Sequence, residues 1–330
     1  MTTDTDTEPL EPPAPRGRVP SDPADLVVRM RAGERRAIAE AATECERAAP
    51  RLAALLQAMR PHLGRARLLG ITGPPGAGKS TLANALIALL RRRGLTVGVV
   101  AVDPSSPVSG GAILGDRVRM TAALDDDGVF VRSVASRGAL GGLSPAAVRV
   151  VDALDAAGFD VVLIETVGTG QSEIDIAEVA DVRIVVNAPG LGDDIQAMKS
   201  GLLEIADILV VNKGDRPDAD ATLAQLRGAV SIRASAHEGG VPVLKCTATT
   251  GDGIDALWDA AAPIADRALA VPVADRRRRR ARLLIARAAT EQLAQRIRAG
   301  GSARMDTLAD DLLDGRVSLD EAAGQVLRGT

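Results

Sequence analysis

The stretch that most constrains the fold is GITGPPGAGKST, residues 70–81, which lies between an apolar run and a Leu- and Ala-rich segment. It contains Gly73-x4-Gly78-Lys79-Ser80, a complete phosphate-loop pattern. The preceding RLLGIT has the composition of a buried strand, and the following STLANALIALLRRR has helical periodicity. The motif and its context together predict an α/β fold that binds the phosphates of a nucleotide.

The chemistry of this loop depends on its glycines and on two side chains. Glycines let backbone N–H groups turn toward an anion, and the following helix adds the partial positive charge of its N-terminus. We expect Lys79 to reach the β- and γ-phosphates and the Ser80 hydroxyl to ligate Mg²⁺. The alternative is a Gly-rich turn that binds nothing, which the complete pattern disfavours. The predicted phosphate-binding residues are Gly76, Ala77, Gly78, Lys79, Ser80 and Thr81.

The identity of the base is predicted by VVNKGD, in which Asn212, Lys213 and Asp215 form an N-K-x-D segment after an apolar strand. An aspartate there can accept hydrogen bonds from guanine N1–H and the exocyclic amine, which adenine does not offer. The segment alone could also be a strand-end turn with an aspartate helix cap. With the phosphate loop upstream, GTP or GDP is the predicted nucleotide. A less specific signal is a loop similar to the S/T-A-x loop that contacts the guanine carbonyl, formed by Thr247, Ala248 and Thr249.

Acidic residues at two strand ends are candidates for Mg²⁺ binding and catalysis. Asp103 ends VVAVD and Glu165 ends VVLIE, and Gly168 follows Glu165 at the spacing of a D-x-x-G switch in which Glu replaces Asp. Carboxylates are hard oxygen ligands suited to Mg²⁺, although each could instead cap the next helix. We expect Asp116, in the Gly-rich GGAILGDRVRM, to join the metal shell when that loop closes. The predicted catalytic residues are Lys79, Asp103, Asp116 and Glu165, and the predicted metal ligands are Ser80, Asp103, Asp116 and Glu165.

The residue that orients the attacking water is not evident. Many GTPases place a glutamine directly after D-x-x-G. This chain has Thr169 at that position, and Gln171 lies two residues later. Slow intrinsic hydrolysis is therefore expected.

Seven short apolar runs alternate with helical stretches, which predicts a doubly wound, mainly parallel sheet of the P-loop NTPase class. The runs are ARLLGIT, TVGVVAVD, VFVRSVA, FDVVLIET, VRIVVNA, ADILVVNK and VPVLKCTA. Strand signals are replaced by helical patterns at both ends, the second of which predicts two helices separated at Gly300-Gly301. The predicted division is a disordered tail at 1–22, a helical extension at 23–64, a GTPase domain at 65–270 and a helical arm at 271–330.

Composition argues against several partners. The chain of 330 residues has a formal net charge of −3, so it offers no overall attraction to nucleic acid or an anionic membrane. The arginines at 276–280 open an amphipathic pattern and are interpreted as a solvated or partner-facing surface. No stretch has the length of a membrane span or the apolar run of a signal peptide, and Cys45 and Cys246 make no metal spacing. We expect a cytoplasmic protein without membrane or nucleic-acid partners.

From about residue 22 onward the sequence resembles the MeaB/ArgK-type GTPases, chaperones of adenosylcobalamin-dependent acyl-CoA mutases such as methylmalonyl-CoA mutase. The resemblance rests on GPPGAGKST, VAVDPSSPVSGGAILGDRVRM, GALGGLSPAA, GFDVVLIETVGTGQSEIDIAEVAD, PGLGDDIQAMKSGLLEIADILVVNKGD and GDGIDALW. The chain departs from the family where Gly214 replaces a frequent Ala and Thr247 a common Ser. Neither departure contradicts GTP binding.

This resemblance implies GTP-dependent loading, protection or reactivation of a B12-dependent mutase, and a C-terminal helical arm that mediates homodimerisation. It also implies a mobile third switch at residues 188–199, ending in Lys199. Two other functions stay open. One is a kinase of a binding protein of amino-acid transport. The other is a nickel-insertion GTPase, which the presence of only two histidines, His62 and His237, disfavours.

Overall fold

The computed structural model describes residues 22–103, 126–135, 143–166, 172–190, 201–233, 240–299 and 302–328. Its strands are β1 Arg67–Thr72, β2 Val97–Asp103, β3 Val129–Ala135, β4 Val161–Glu165, β5 Val182–Asn187, β6 Ile208–Val211 and β7 Val243–Lys245. They form one sheet of order β3-β2-β4-β1-β5-β6-β7, in which all neighbouring strands are parallel. The seven predicted strands and the predicted α/β class are confirmed.

Helices precede, connect and follow the strands. In chain order they are α1 Pro23–Arg31, α2 Arg35–Arg47, α3 Leu52–Met59, α4 Lys79–Arg92, α5 Pro145–Ala157, α6 Ser172–Val179, α7 Leu202–Ile205, α8 Ala219–Arg233, α9 Ile254–Ala270, α10 Val273–Ala299, α11 Ser302–Leu313 and α12 Leu319–Arg328. In the part of the chain with assigned structure, none of them is long and apolar enough to cross a membrane.

Helices cover both faces of the sheet, because its continuous aliphatic strands bury side chains on each side. On one face, α4 and α9 pack on β1, β4, β5 and β6. On the other, α1, α2, α3, α5 and α6 cover β1 to β4, and α7 and α8 cover β5 to β7. Gly70 permits the close approach of α6, since a Cβ there would lie 2.5 Å from the side chain of Ile176.

The sheet order places the phosphate loop at the centre of one edge. Strand β1 lies between β4 and β5, and the chain passes from the β1 end into α4 through residues 73–78. The carboxyl ends of parallel strands meet at this edge, where open α/β sheets bind their ligands. The ends of β2, β4, β5, β6 and β7 therefore lie around the loop.

The arginine run at 276–280 differs in part from its interpretation as a solvated or partner-facing surface. Arg276 and Arg280, one helical turn apart on α10, are 7% and 5% exposed. Arg276 binds Asp181 at 2.9 Å and Arg280 binds Asp152 at 3.0 Å. Two of the five arginines are thus buried ion-pair partners that fasten α10 to the sheet domain, whereas Arg278 is largely exposed.

The C-terminal segment contains a third helix where the sequence analysis predicts two. The break at 300–301 separates α10 from α11, and a second break separates α11 from α12. Gly315 adopts a left-handed conformation there, with φ of +70°, and the Ser318 hydroxyl accepts from the N–H of Glu321 at the start of α12. The prediction missed this break because the apolar spacing continues across it, although Gly and Ser mark such a turn.

Candidate guanine-nucleotide site

The phosphate loop is shaped by glycines with positive φ. Gly73 has a φ of +135°, and a Cβ there would clash with the carbonyl oxygen of Val186 on β5. Gly78 has a φ of +86°, and a Cβ there would clash with the side-chain amide of Asn212. A side chain at either position would meet both backbone strain and a neighbouring strand end. The glycines therefore fit the loop against β5 and β6 as well as permitting its turn.

Lys79 is the first residue of α4, and its side chain folds back over the loop. The residue is 7% exposed, and Nζ donates to the carbonyl oxygens of Gly73 at 2.8 Å and Pro74 at 3.1 Å. A buried ammonium requires such acceptors. The predicted phosphate-contacting cation is thus held at the mouth of the loop.

Ser80 and Glu165 lie together at the junction of the loop helix and β4. The Ser80 hydroxyl donates to Oε1 of Glu165 at 2.5 Å, and Glu165 is 4% exposed. Asp103 ends the adjacent strand β2 and is 1% exposed. In the strand register Ala101 is opposite Glu165, so Asp103 lies two residues further along the same edge. The structure thus joins Ser80 with Glu165 directly and places Asp103 on the next strand.

These oxygens fit the requirements of Mg²⁺. A hydroxyl and two carboxylates are hard ligands, and Mg²⁺ typically takes few protein ligands together with water and substrate phosphates. Within the described ranges, no group of three or more His, Cys, Asp or Glu side chains has an arrangement that could hold a metal ion. The donor set therefore suits an ion shared with a nucleotide rather than one held by protein alone.

Asn212 ties the loop to two later segments of the chain. Its Nδ2 donates to the carbonyl oxygens of Ala77 at 3.0 Å and Gly78 at 3.3 Å, and its Oδ1 accepts from the N–H of Ala248 at 3.1 Å. The residue is 2% exposed. The first residue of N-K-x-D therefore has a positioning role, which the sequence analysis did not separate from base contact.

Lys213 and Asp215 occupy different environments beyond Asn212. Lys213 has a φ of +55° and donates from Nζ to the carbonyl of Gly76 at 2.7 Å. Asp215 is exposed. Between them, the N–H of Gly214 donates to the carbonyl of Cys246 at 2.9 Å, joining this segment to the end of β7. Asp215 is thus the member of the segment that is accessible to a ligand.

The segment after β7 is folded by its own hydrogen bonds. The N–H of Thr247 donates to the carbonyl of Asp252 at 2.9 Å, and the N–H of Ala248 is used by Asn212. Both residues are buried, whereas Thr249 is exposed. Of the three residues predicted to contact guanine, Thr249 is therefore the most accessible to a ligand.

Several predicted residues cannot be placed, and some neighbours were not predicted. Asp116, Gly168, Thr169, Gln171 and Lys199 lie outside the described residues. Residues missing from the prediction include Thr72 and Thr166, whose hydroxyls form a buried hydrogen bond of 2.9 Å between β1 and β4, and Asn187 at the end of β5. Their position at strand ends was the available signal, since the strand order that brings them together is not local information.

The doubly wound parallel sheet, the phosphate loop after its central strand and the N-K-x-D segment bonded to that loop define a P-loop GTPase. The description of one protein family, methylmalonyl-CoA mutase-associated GTPase MeaB, fits this class, and its family model matches residues 36–302. The chain belongs to this family.

Known relatives agree with that assignment. The GTPase ArgK of Escherichia coli is 45% identical over 246 residues, covering 72% of this chain and 74% of the relative. The methylmalonic aciduria type A homolog of Mus musculus, a mitochondrial protein, is 36% identical over 195 residues, or 58% of this chain and 47% of the relative. A crystal structure of a LAO/AO transport system kinase is 30% identical with a TM-score of 0.73, covering 93% of this chain and 96% of the other.

Proposed function

We propose that this GTPase is a chaperone of an adenosylcobalamin-dependent acyl-CoA mutase, which gates cofactor loading and protects or reactivates the mutase. The observation that carries the proposal is the match of residues 36–302 to a family described as mutase-associated, which extends well beyond the phosphate loop. The name of the mouse relative, a methylmalonic aciduria type A homolog, supports the same client chemistry. We place this activity in the cytoplasm.

In this proposal the residues of the site divide between nucleotide and metal. Lys79 and the loop N–H groups bind the phosphates, Asp215 selects guanine, and the N–H of Thr249 serves the guanine carbonyl. Ser80, Glu165 and Asp103 hold Mg²⁺, with Asp116 as a further ligand. The ion would neutralise charge on the phosphates. The close contact of Ser80 with Glu165 supports this division.

The partner test is GTP turnover with and without a purified mutase. We expect the isolated protein to hydrolyse GTP slowly, because Thr169 replaces the usual water-orienting glutamine, and a cognate mutase to accelerate it. A partner that supplies or orders charge at the phosphates can be worth about 10³ in rate. Steady-state phosphate release should be measured for wild type, for Lys199→Ala and for Arg47→Ala, an exposed cation at the end of α2.

We expect Lys199→Ala to reduce the acceleration while leaving nucleotide affinity nearly intact, and Arg47→Ala to change neither. Equal rates with and without every candidate mutase would exclude the chaperone function. GTP labelled on its γ-phosphate separates the kinase alternative, which the name of the LAO/AO structure suggests for that protein. Label on a protein substrate would support a kinase, and free phosphate supports the GTPase.

We also propose that the C-terminal helices form a homodimer. They expose large apolar side chains: Ile285 at 69%, Met305 at 44%, Leu313 at 84%, Leu319 at 68% and Leu327 at 52%. Exposed apolar residues concentrated on one segment mark an interaction surface. The double variant Leu313→Asp, Leu319→Asp should sediment as a monomer. Val28→Asp, which alters an equally exposed apolar residue on α1, should not change the mass; a dimeric double variant would refute this interface.

A further inference from the structure

Asn187, the last residue of β5, carries a buried donor that the roles above do not use. The residue is 1% exposed, and its Oδ1 accepts a hydrogen bond from the N–H of Ala188 at 2.7 Å. Within the residues that the structure describes, its Nδ2 is buried without a hydrogen-bond partner. Native proteins rarely leave an enclosed amide donor unused, because it loses water without gaining an acceptor. Such a donor beside a ligand site indicates a second arrangement in which it is bonded.

The position of Asn187 links it to the phosphate loop. Val185 is opposite Thr72, the last residue of β1, so Asn187, two residues further along β5, is level with the start of the loop. Gly73 packs so closely on the carbonyl oxygen of Val186 that no side chain fits between them. The end of β5 therefore forms one wall of the loop.

The backbone of Asn187 is part of the same assembly. Its carbonyl oxygen accepts from the N–H of Asn212 at 2.8 Å. The side chain of Asn212 in turn bonds the carbonyls of Ala77 and Gly78 in the loop. A change at Asn187 is thus transmitted to the loop through two hydrogen-bonded neighbours.

The acceptors that can change partners at this edge are the carbonyls of Gly73 and Pro74. In this structure both receive hydrogen bonds from Nζ of Lys79. An ammonium has three donors with fixed tetrahedral directions. If Lys79 turns toward nucleotide phosphates, it cannot keep both carbonyl bonds at their present geometry, and one loop carbonyl then needs a new donor.

We propose that Asn187 is a positioning residue for nucleotide binding, whose Nδ2 donates to the Gly73 or Pro74 carbonyl when Lys79 turns to the phosphates. The inference rests on the proposed role of Lys79. The exchange keeps the loop carbonyl bonded in both states, so the loop retains the shape that its glycines impose. Because Ala188 follows directly, the exchange also connects phosphate binding to the chain that leaves β5.

The test compares the nucleotide-free and nucleotide-bound protein. Asn187→Leu removes the donor at similar volume, and we expect the Kd for GDP and for a non-hydrolysable GTP analogue to rise about tenfold, as for one lost hydrogen bond. The urea midpoint of the nucleotide-free variant should stay close to wild type, since the donor is unused there. Asn187→Thr, which retains a donor, should recover part of the affinity.

The matched control is Val185→Ala, a buried apolar position on the same face of β5. It should lower the urea midpoint with and without nucleotide and leave the Kd unchanged. Wild-type Kd values for Asn187→Leu, or equal destabilisation with and without nucleotide, would overturn the proposal. Failure of the wild type to bind guanine nucleotides would instead refute the proposed function itself.

A measurement on the unaltered protein covers a leucine variant that fails to fold. The side-chain NH₂ signals of Asn187 in ¹⁵N-labelled protein should shift and exchange more slowly with water when GDP is added. Unchanged signals at saturating GDP would contradict the exchange of partners, whatever the behaviour of the variants.

Discussion

The Ser80 hydroxyl donates to Oε1 of Glu165 at 2.5 Å, across 85 residues of sequence. This contact joins the first turn of the loop helix to the end of β4. It brings together two oxygens that the proposed function assigns to Mg²⁺. The contact also gives Glu165 a defined orientation, since the carboxylate is otherwise enclosed at the sheet edge.

Ser80→Ala should make GTP hydrolysis depend more strongly on Mg²⁺. We expect the rate at low Mg²⁺ to fall at least about tenfold and to recover in part at high Mg²⁺, because water can replace one ligand. Lys79→Ala should lower the rate at every Mg²⁺ concentration, since no metal restores its charge. Phosphate release over a Mg²⁺ titration is the measurement. Ser231→Ala, at the exposed end of α8, is the control, and normal hydrolysis by Ser80→Ala at low Mg²⁺ would contradict the assignment.

Asp215→Asn should weaken GTP binding and favour XTP. The substitution replaces an acceptor by a donor that faces the donors of guanine, and mismatches of this kind cost several kcal/mol. Titration with both nucleotides is the measurement. Asp218→Asn changes an exposed aspartate three residues away and should bind GTP normally. If Asp215→Asn bound GTP as wild type does, the base-reading segment would have to lie elsewhere.

Arg276→Met should destabilise the fold by about 3–5 kcal/mol, the usual effect of removing one partner of a buried ion pair. Asp181 would keep its bond from the N–H of Leu68 but lose its counterion. Urea unfolding measures the change, with Arg278→Met, on the exposed side of α10, expected within about 0.5 kcal/mol of wild type. A loss as small as that of the control would show that the ion pair does not anchor α10.

The Arg276→Met deficit should also depend on pH. Burial raises the pKa of the Asp181 carboxyl above its usual value, against the opposing charge of Arg276. A carboxyl with a raised folded pKa favours folding below the unfolded pKa, and this contribution is lost as pH rises through the folded pKa. Without Arg276 that pKa rises further, so the deficit should be smaller at pH 5 than at pH 8. An equal deficit at the two pH values would contradict this explanation.

Both cysteine thiols should be inert in the folded protein. Burial raises the pKa of Cys45 to about 12 and that of Cys246 to about 11. At pH 8 the thiolate fractions are then about 10⁻⁴ and about 10⁻³, and the thiolate is the reactive species. A disulfide reagent at pH 8 should titrate two thiols in guanidinium chloride and react only slowly with the native protein. Rapid native reaction of either thiol would show that its site opens to solvent.

The helical arm shows how sequence pattern and burial can diverge. The run at 276–280 has uniform chemistry, so nothing local distinguishes its buried members from its exposed ones. Their partners, Asp181 and Asp152, lie 95 and 128 residues away. Only the docking of α10 on the sheet domain decided which arginines became ion-pair anchors.

The sequence by itself determined the strands, the phosphate loop and the class of ligand, because each depends on contiguous residues with local backbone preferences or a fixed spacing. It also placed Asp103, Glu165 and Asn212 at strand ends. The tertiary structure decided which strand ends meet. The order β4-β1-β5-β6 places Glu165 against Ser80, and Asn187 and Asn212 beside the loop. That order comes from pairing between distant strands, which leaves no periodic trace in the chain.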